Sequence, residues 1–151
     1  MTAPFADRLA ERVSARRSQI VLGLDPDPAR LWPAAVERAA EARHLIAAPA
    51  GDTRFDTAVA VLAHCLELID AAAPACVAAK PQHAFFEQLG FAGWLALEHV
   101  CAHARAAGLL VLADGKRGDV PVTAPTSERS PSPSSCTMRA SRSHSRSPVA
   151  S

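Results

Sequence analysis

Three short apolar runs, each ending in a charged residue and each separated from the next by helical periodicity, constrain this chain more than any other feature. The runs are Gln19 to Asp25 (QIVLGLD), Ala75 to Lys80 (ACVAAK) and Leu109 to Ala113 (LLVLA), the last passing into Asp114. Each has strand length and is closed by a breaker or a charge: Pro26 and Pro28 follow the first, Pro81 the second and Asp114-Gly115 the third. Proline removes a ladder donor and forces the chain to turn. Continuous apolar runs of this kind suit strands covered on both faces, and helices between them are the crossovers that a parallel sheet requires.

The intervening segments carry that helical signal. Phe5 to Arg17 places Phe5, Leu9 and Val13 on one stripe, and residues 30–43 read as partly helical. Phe55, Val59, Leu62, Leu66 and Ile69 step by four and three, which predicts a helix ending before Pro74. Trp94, Leu97, Cys101 and Ala104 predict another over residues 94–107, terminated by Gly108. The fold class is therefore α/β, built from βαβ units on a parallel sheet.

In such a sheet all strands end on one edge, and ligands bind beyond that edge, so Asp25, Lys80 and Asp114 are expected on a common rim. Asp114 and Lys116 are two residues apart and share a face if the strand runs on through them. A carboxylate beside an ammonium favours the charged form of both, and Lys80 extends the row to an alternating Lys-Asp-Lys array. That array can receive an anionic substrate and stabilise a carbanion formed beside Lys116.

Composition separates this part from the rest of the chain. Residues 1–123 carry 12 Lys and Arg against 14 Asp and Glu, whereas residues 124–151 carry four Arg against the single acid Glu128. The later segment holds ten Ser and four Pro and lacks Leu, Ile, Phe and Trp, so it cannot bury enough apolar surface to offset ordering. It is expected to be disordered, and its abrupt onset suggests translation in a shifted reading frame. A rival reading takes Arg139 to Ser147 (RASRSHSRS) as a serine-arginine segment for RNA binding or phosphorylation.

The overall charge of +1 gives no general attraction to nucleic acid or to an acidic membrane. The longest apolar run, Ile20 to Leu24, is too short to span a bilayer, and a cytoplasmic location is the expectation. The cysteines Cys65, Cys76, Cys101 and Cys136 form no CxxC pair and read as reduced thiols. His99 and His103, four apart on a helix, have the spacing of a zinc pair, but nothing completes the set and a solvated helix face is expected. Gly115 and Gly118 read as backbone turns around the charged array.

Asp114-Gly115-Lys116-Arg117-Gly118-Asp119-Val120 resembles the DxKxxD signature of the orotidine 5′-phosphate decarboxylases, and of their longer bacterial subgroup in particular. The strand end Gly23-Leu24-Asp25-Pro26 and the run Lys80-Pro81-Gln82 agree with that resemblance, which covers about residues 5–123. It implies a (β/α)8 barrel, here about the first three βα units, and a homodimer. The implied reaction converts orotidine 5′-monophosphate to UMP and carbon dioxide with no cofactor. By position, Asp25 would contact the ribose, Lys80 would bind a ribose hydroxyl and orient Asp114, and Asp114 would crowd the substrate carboxylate. Lys116 would stabilise and protonate the carbanion at C6, while Asp119, with Val120 and Thr123, would enter the partner subunit's site.

A sister group acting on sugar phosphates with magnesium is expected to carry glutamate where this chain has Lys80, and an ammonium is a poor companion for a divalent cation. A whole barrel needs at least about 200 residues. Decarboxylation by this chain alone is therefore not expected, and an inert fragment or a binding partner for a complete subunit is the alternative.

Overall fold

The computed structural model describes residues 3–46 and 52–115. Along the chain these form α1 (Phe5–Arg16), β1 (Ile20–Leu24), α2 (Pro33–Glu37), α3 (Ala39–Ala42), α4 (Thr53–Ala72), β2 (Cys76–Pro81), α5 (His83–Glu87), α6 (Phe91–Ala106) and β3 (Leu110–Val111). The strands make one parallel sheet in the order β1-β2-β3. This is the α/β arrangement expected from the sequence and the opening portion of a (β/α)8 barrel.

One face of the sheet is covered by helices. Val59, Leu62, Cys65 and Ile69 of α4 and Ala96, Leu97 and Val100 of α6 form a single core with Leu24, Cys76 and Ala79. The stripe read for α4 is broader than its four-three steps implied: Val61 and Cys65 are fully buried, while Phe55 and Leu66 are only half-buried. In α6 the phase differs. Gly93, Ala96, Leu97, Val100 and Ala104 are buried, whereas Trp94 is 46% exposed. Small residues let α6 approach its neighbours closely, so its bulkiest side chain lies off the packed face.

On the other face, Leu9 and Val13 of α1 pack against Val77, Ala78 and Leu110. This contact covers the half of the sheet toward the strand N-termini. Phe5, the first member of the predicted stripe, remains 42% exposed. Arg16 secures the helix: its guanidinium donates to the carbonyls of Ala73 and Cys76 and, at 3.2 and 3.4 Å, to those of Ala107 and Gly108. The turns leading into β2 and β3 are thus tied to one side chain. Gly108 has φ +78°, the left-handed conformation that ends α6.

The third strand is shorter than the expected span Leu109 to Ala113, but its pairing continues. Leu112 donates to Ala79 at 2.9 Å and Asp114 to Pro81 at 3.3 Å, and an isolated bridge joins Gln82 to Asp114. Cys65, Cys76 and Cys101 are free thiols. Burial pushes the Cys65 thiol up to about 12 and also raises Cys101, where Arg105 partly offsets the effect. Among the described residues, no helix is long and apolar enough to cross a membrane.

Candidate active site

The register sets which side chains can meet. Gly23 pairs with Lys80, and Leu24 pairs with Pro81. One residue further on, Gln82 donates its N–H to Leu24 at 3.0 Å and bridges to Asp114, so Asp25, Gln82 and Asp114 lie in one row across the strand ends. Residues two apart on a strand face the same way. Lys80 can therefore reach the row from below, and its Nζ donates to Asp114 Oδ2 at 2.7 Å. The Lys80 side chain is 36% exposed and that of Asp114 only 11%, so the pair borders solvent with its carboxylate held inside. A charge-assisted bond in such a setting is shorter and stronger than a neutral one.

Asp25 reaches the same rim. Its Oδ2 stands 3.5 Å from the point where a Cβ on Gly23 would lie, so the carboxylate leans back over the position paired with Lys80. Asp25 is exposed, as a group offered to a ligand would be. The missing side chain at Gly23 leaves that space open. Of the residues singled out from the sequence, the structure brings Asp25, Lys80 and Asp114 to one rim. Lys116, Asp119, Val120 and Thr123 lie outside the described residues, as do the segment 124–151 and Cys136.

Two rim residues were given no site role from the sequence. Gln82 is 2% exposed and caps α5, its side chain accepting from the Ala84 N–H at 3.5 Å. His83 begins α5 and donates its backbone N–H to the Asp114 carbonyl at 3.0 Å. Its ring meets Trp94 edge to face with centroids 5.8 Å apart. The signal for His83 was its place directly after a strand end, and for Gln82 that place together with the run Lys80-Pro81-Gln82.

A family model for the orotidine 5′-phosphate decarboxylase / HUMPS family matches residues 18–128. The chain belongs to this family. Proteins named orotidine 5′-phosphate decarboxylase are its relatives: that of Deinococcus radiodurans is 40% identical over 124 residues, covering 82% of this chain and 37% of the relative. That of Rhodopirellula baltica is 38% identical over 120 residues, covering 80% and 36%. That of Nocardioides sp. is 54% identical over 55 residues, covering 36% and 20%. The chain thus spans little more than a third of the length of the first two. No solved structure matches it. The family match takes in all three strands and every rim residue described above, so the family's strand-end chemistry is the relevant comparison.

One concavity among the described residues lies away from this rim. A groove of about 230 Å³ is lined by Arg38, Glu41, His44, Glu67, Asp70 and His103 among others, none of them on a strand. Two ion pairs lie along it, Arg38 with Glu67 and His103 with Asp70, each at 2.6 Å. His103 of the candidate zinc pair is therefore engaged by a carboxylate on α4. Among the described residues, no group of three or more His, Cys, Asp or Glu could hold a metal ion.

Proposed function

We propose that this chain carries the substrate-facing rim of an orotidine 5′-monophosphate decarboxylase. The observation that carries the reading is the Lys80–Asp114 pair at 2.7 Å, on adjacent parallel strands within a family match. Asp114 is the first residue of DxKxxD, and Lys116 follows two positions on. In the reaction the bond between C6 and the carboxylate breaks, carbon dioxide leaves and the electron pair stays on C6. The Lys116 ammonium then delivers a proton to that carbon, and solvent reprotonates the amine. Lys80 holds the Asp114 carboxylate in place and donates an N–H to a ribose hydroxyl, and Asp25 contacts the ribose. Fixed charges of this kind need no reorganisation as the carbanion forms, which is where such sites gain most.

Lys80 also favours this reaction over the magnesium-dependent sugar-phosphate chemistry of the sister group. Its ammonium occupies an Asp114 oxygen that a divalent cation would otherwise claim. On the same reading Asp119, Val120 and Thr123 enter the site of a second subunit. Residues 1–123 then belong to the barrel and 124–151 are a frame-shifted segment outside it; the family match runs a few residues past that boundary. Sequencing that finds no family-like, strand-like translation in the neighbouring frames would remove the frameshift assignment.

The test is loss of orotidine 5′-monophosphate absorbance. Residues 1–123 joined to the rest of the Deinococcus radiodurans relative should decarboxylate, and Lys116→Ala should reduce the rate by at least about 10³-fold, the scale of removing a key electrostatic group. A well-folded but inactive chimera overturns the assignment. Lysine-dependent turnover by the 151-residue chain alone would show that three βα units suffice.

A further inference from the structure

Building on the decarboxylase reading, we propose that His83 is a positioning residue: its ring, braced by Trp94, holds the Asp114–Gly115 segment from which the chain continues to Lys116. Three contacts converge on this residue. Its backbone N–H donates to the Asp114 carbonyl at 3.0 Å, extending the β2–β3 ladder past the last regular strand residue. Its half-buried ring lies on the side of Gly115 where a side chain would project, with Nδ1 3.5 Å from the place a Cβ there would take. The same ring packs against Trp94 at an interplanar angle of 74°.

Gly115 brings no side chain of its own, so the imidazole is the group that bounds this side of its backbone. Trp94 in turn stands on the first turn of α6, next to Gly93, which seats α6 directly against the Phe86 carbonyl of α5. A path of neighbouring groups therefore runs from the α5–α6 contact through Trp94 and His83 to the residue before Lys116. The backbone bond survives substitution of His83, whereas the ring contact does not. The reacting group on Lys116 must sit within a fraction of an ångström of its target, and a misplacement of about 1 Å costs roughly 100-fold in rate.

The experiment is amide hydrogen exchange on the 151-residue chain, read at Gly115 and at the buried α6 residues Leu97 and Val100. His83→Ala should speed exchange at Gly115 by about tenfold or more while Leu97 and Val100 hold their parent rates. His83→Phe, which keeps a ring in place, should restore slow exchange. Exchange at Gly115 within twofold of the parent in His83→Ala, or equal acceleration in His83→Phe, overturns the proposal. Should His83→Ala accelerate all amides, Trp94→Leu decides, because it removes the brace at a half-exposed position: unchanged Gly115 exchange there is likewise fatal.

In the decarboxylating chimera, His83→Ala should lower kcat by about 10- to 100-fold with KM within about threefold. A loss confined to KM would refute positioning. The exchange measurement uses no substrate, so it can fail while the decarboxylase reading stands, and an inactive folded chimera sinks that reading without touching the exchange result.

Discussion

Gly93→Ala sets two well-known effects against each other. Alanine is the better helix former, and on propensity alone the change inside α6 should stabilise by about 1 kcal/mol. The packing says otherwise. A Cβ on Gly93 would lie 1.8 Å from the Phe86 carbonyl oxygen, 2.8 Å from its carbon and 2.9 Å from Leu89 Cβ. Contact requires roughly 3.2 Å or more, so α5 and α6 must separate by over an ångström. The closest atoms belong to backbone, which no rotamer change can move aside. Overpacking of this kind costs about 1–3 kcal/mol and more where the backbone itself must shift. We expect a net loss of about 2–4 kcal/mol, read as a lower urea midpoint at unchanged slope. The loss should be accompanied by faster exchange at Gly115, since α5 carries His83. An unchanged or higher midpoint would refute the close approach and, with it, the path of contacts from α6 to the rim.

Arg16→Ala removes donors to four carbonyls in the turns before β2 and β3 and should cost about 2–4 kcal/mol, with Arg16→Lys intermediate because one ammonium cannot span both turns; a change under about 0.5 kcal/mol in urea unfolding would contradict the staple. His64 is buried, its Nδ1 accepts the Trp32 N–H at 3.2 Å, and burial lowers its pKa below the ordinary value. The unfolded chain therefore takes up the proton first as pH falls. Stability should be full above about pH 6.5 and decline below it toward the folded-state pKa; an identical slope in His64→Leu would assign that decline to another group. A double-mutant cycle on Lys80→Met and Asp114→Asn should show about 1–2 kcal/mol of coupling in unfolding free energy, moderated by the partial exposure of Lys80; coupling below about 0.3 kcal/mol would mean the pair is not formed. In the native chain a thiol reagent should label Cys101 before Cys65, whose thiolate is suppressed by burial, and labelling of Cys65 at the unfolding rate is the check.

The three strands and the rim charges were legible because their signals are local. Lys80 sits before Pro81, Asp25 before Pro26 and Asp114 before Gly115, so each strand end was marked by its own breaker. The long periodic helix α4 and the end of α6 at Gly108 were legible for the same reason. Helix α5 was not: five residues following a strand show less than two turns of periodicity, and its cap is an uncommon Gln82. Nor was the phase of α6, where burial falls on Gly93, Ala96 and Ala104 while hydropathy points to Trp94. Close approach by small residues is a property of two surfaces at once, and one sequence segment does not display it. His83 went unnoticed because its importance arises from Gly115 and Trp94, which are distant along the chain and meet it only in the fold.

Register is the step that converts legible strand ends into a site. Ile20 pairs with Cys76, but Val21 pairs with Ala78, so Val77 is an extra residue on β2 and the ladder is offset beyond it. Consistent with that offset, the consecutive residues Val77 and Ala78 both belong to the cluster under α1. Were Val77 paired with Val21 in a regular ladder, Lys80 would fall opposite Leu24, which is fully buried among the helices, and a one-residue slip reverses the face on which a side chain emerges. The ammonium would then point into an apolar layer. With the extra residue, Lys80 lies beside Gly23, over which the Asp25 carboxylate leans, and reaches Asp114 across the next strand. The bulge thus puts charge on the open face and apolar bulk on the covered one, and it does so at the strand's beginning, far from the rim it governs. Deleting Val77 itself should leave Lys80 beside Gly23 and the Lys80–Asp114 pair intact, because Cys76 and Ala78 then follow one another as their partners Ile20 and Val21 do; loss of the Lys80–Asp114 coupling in that deletion, read by the same double-mutant cycle, would contradict the register.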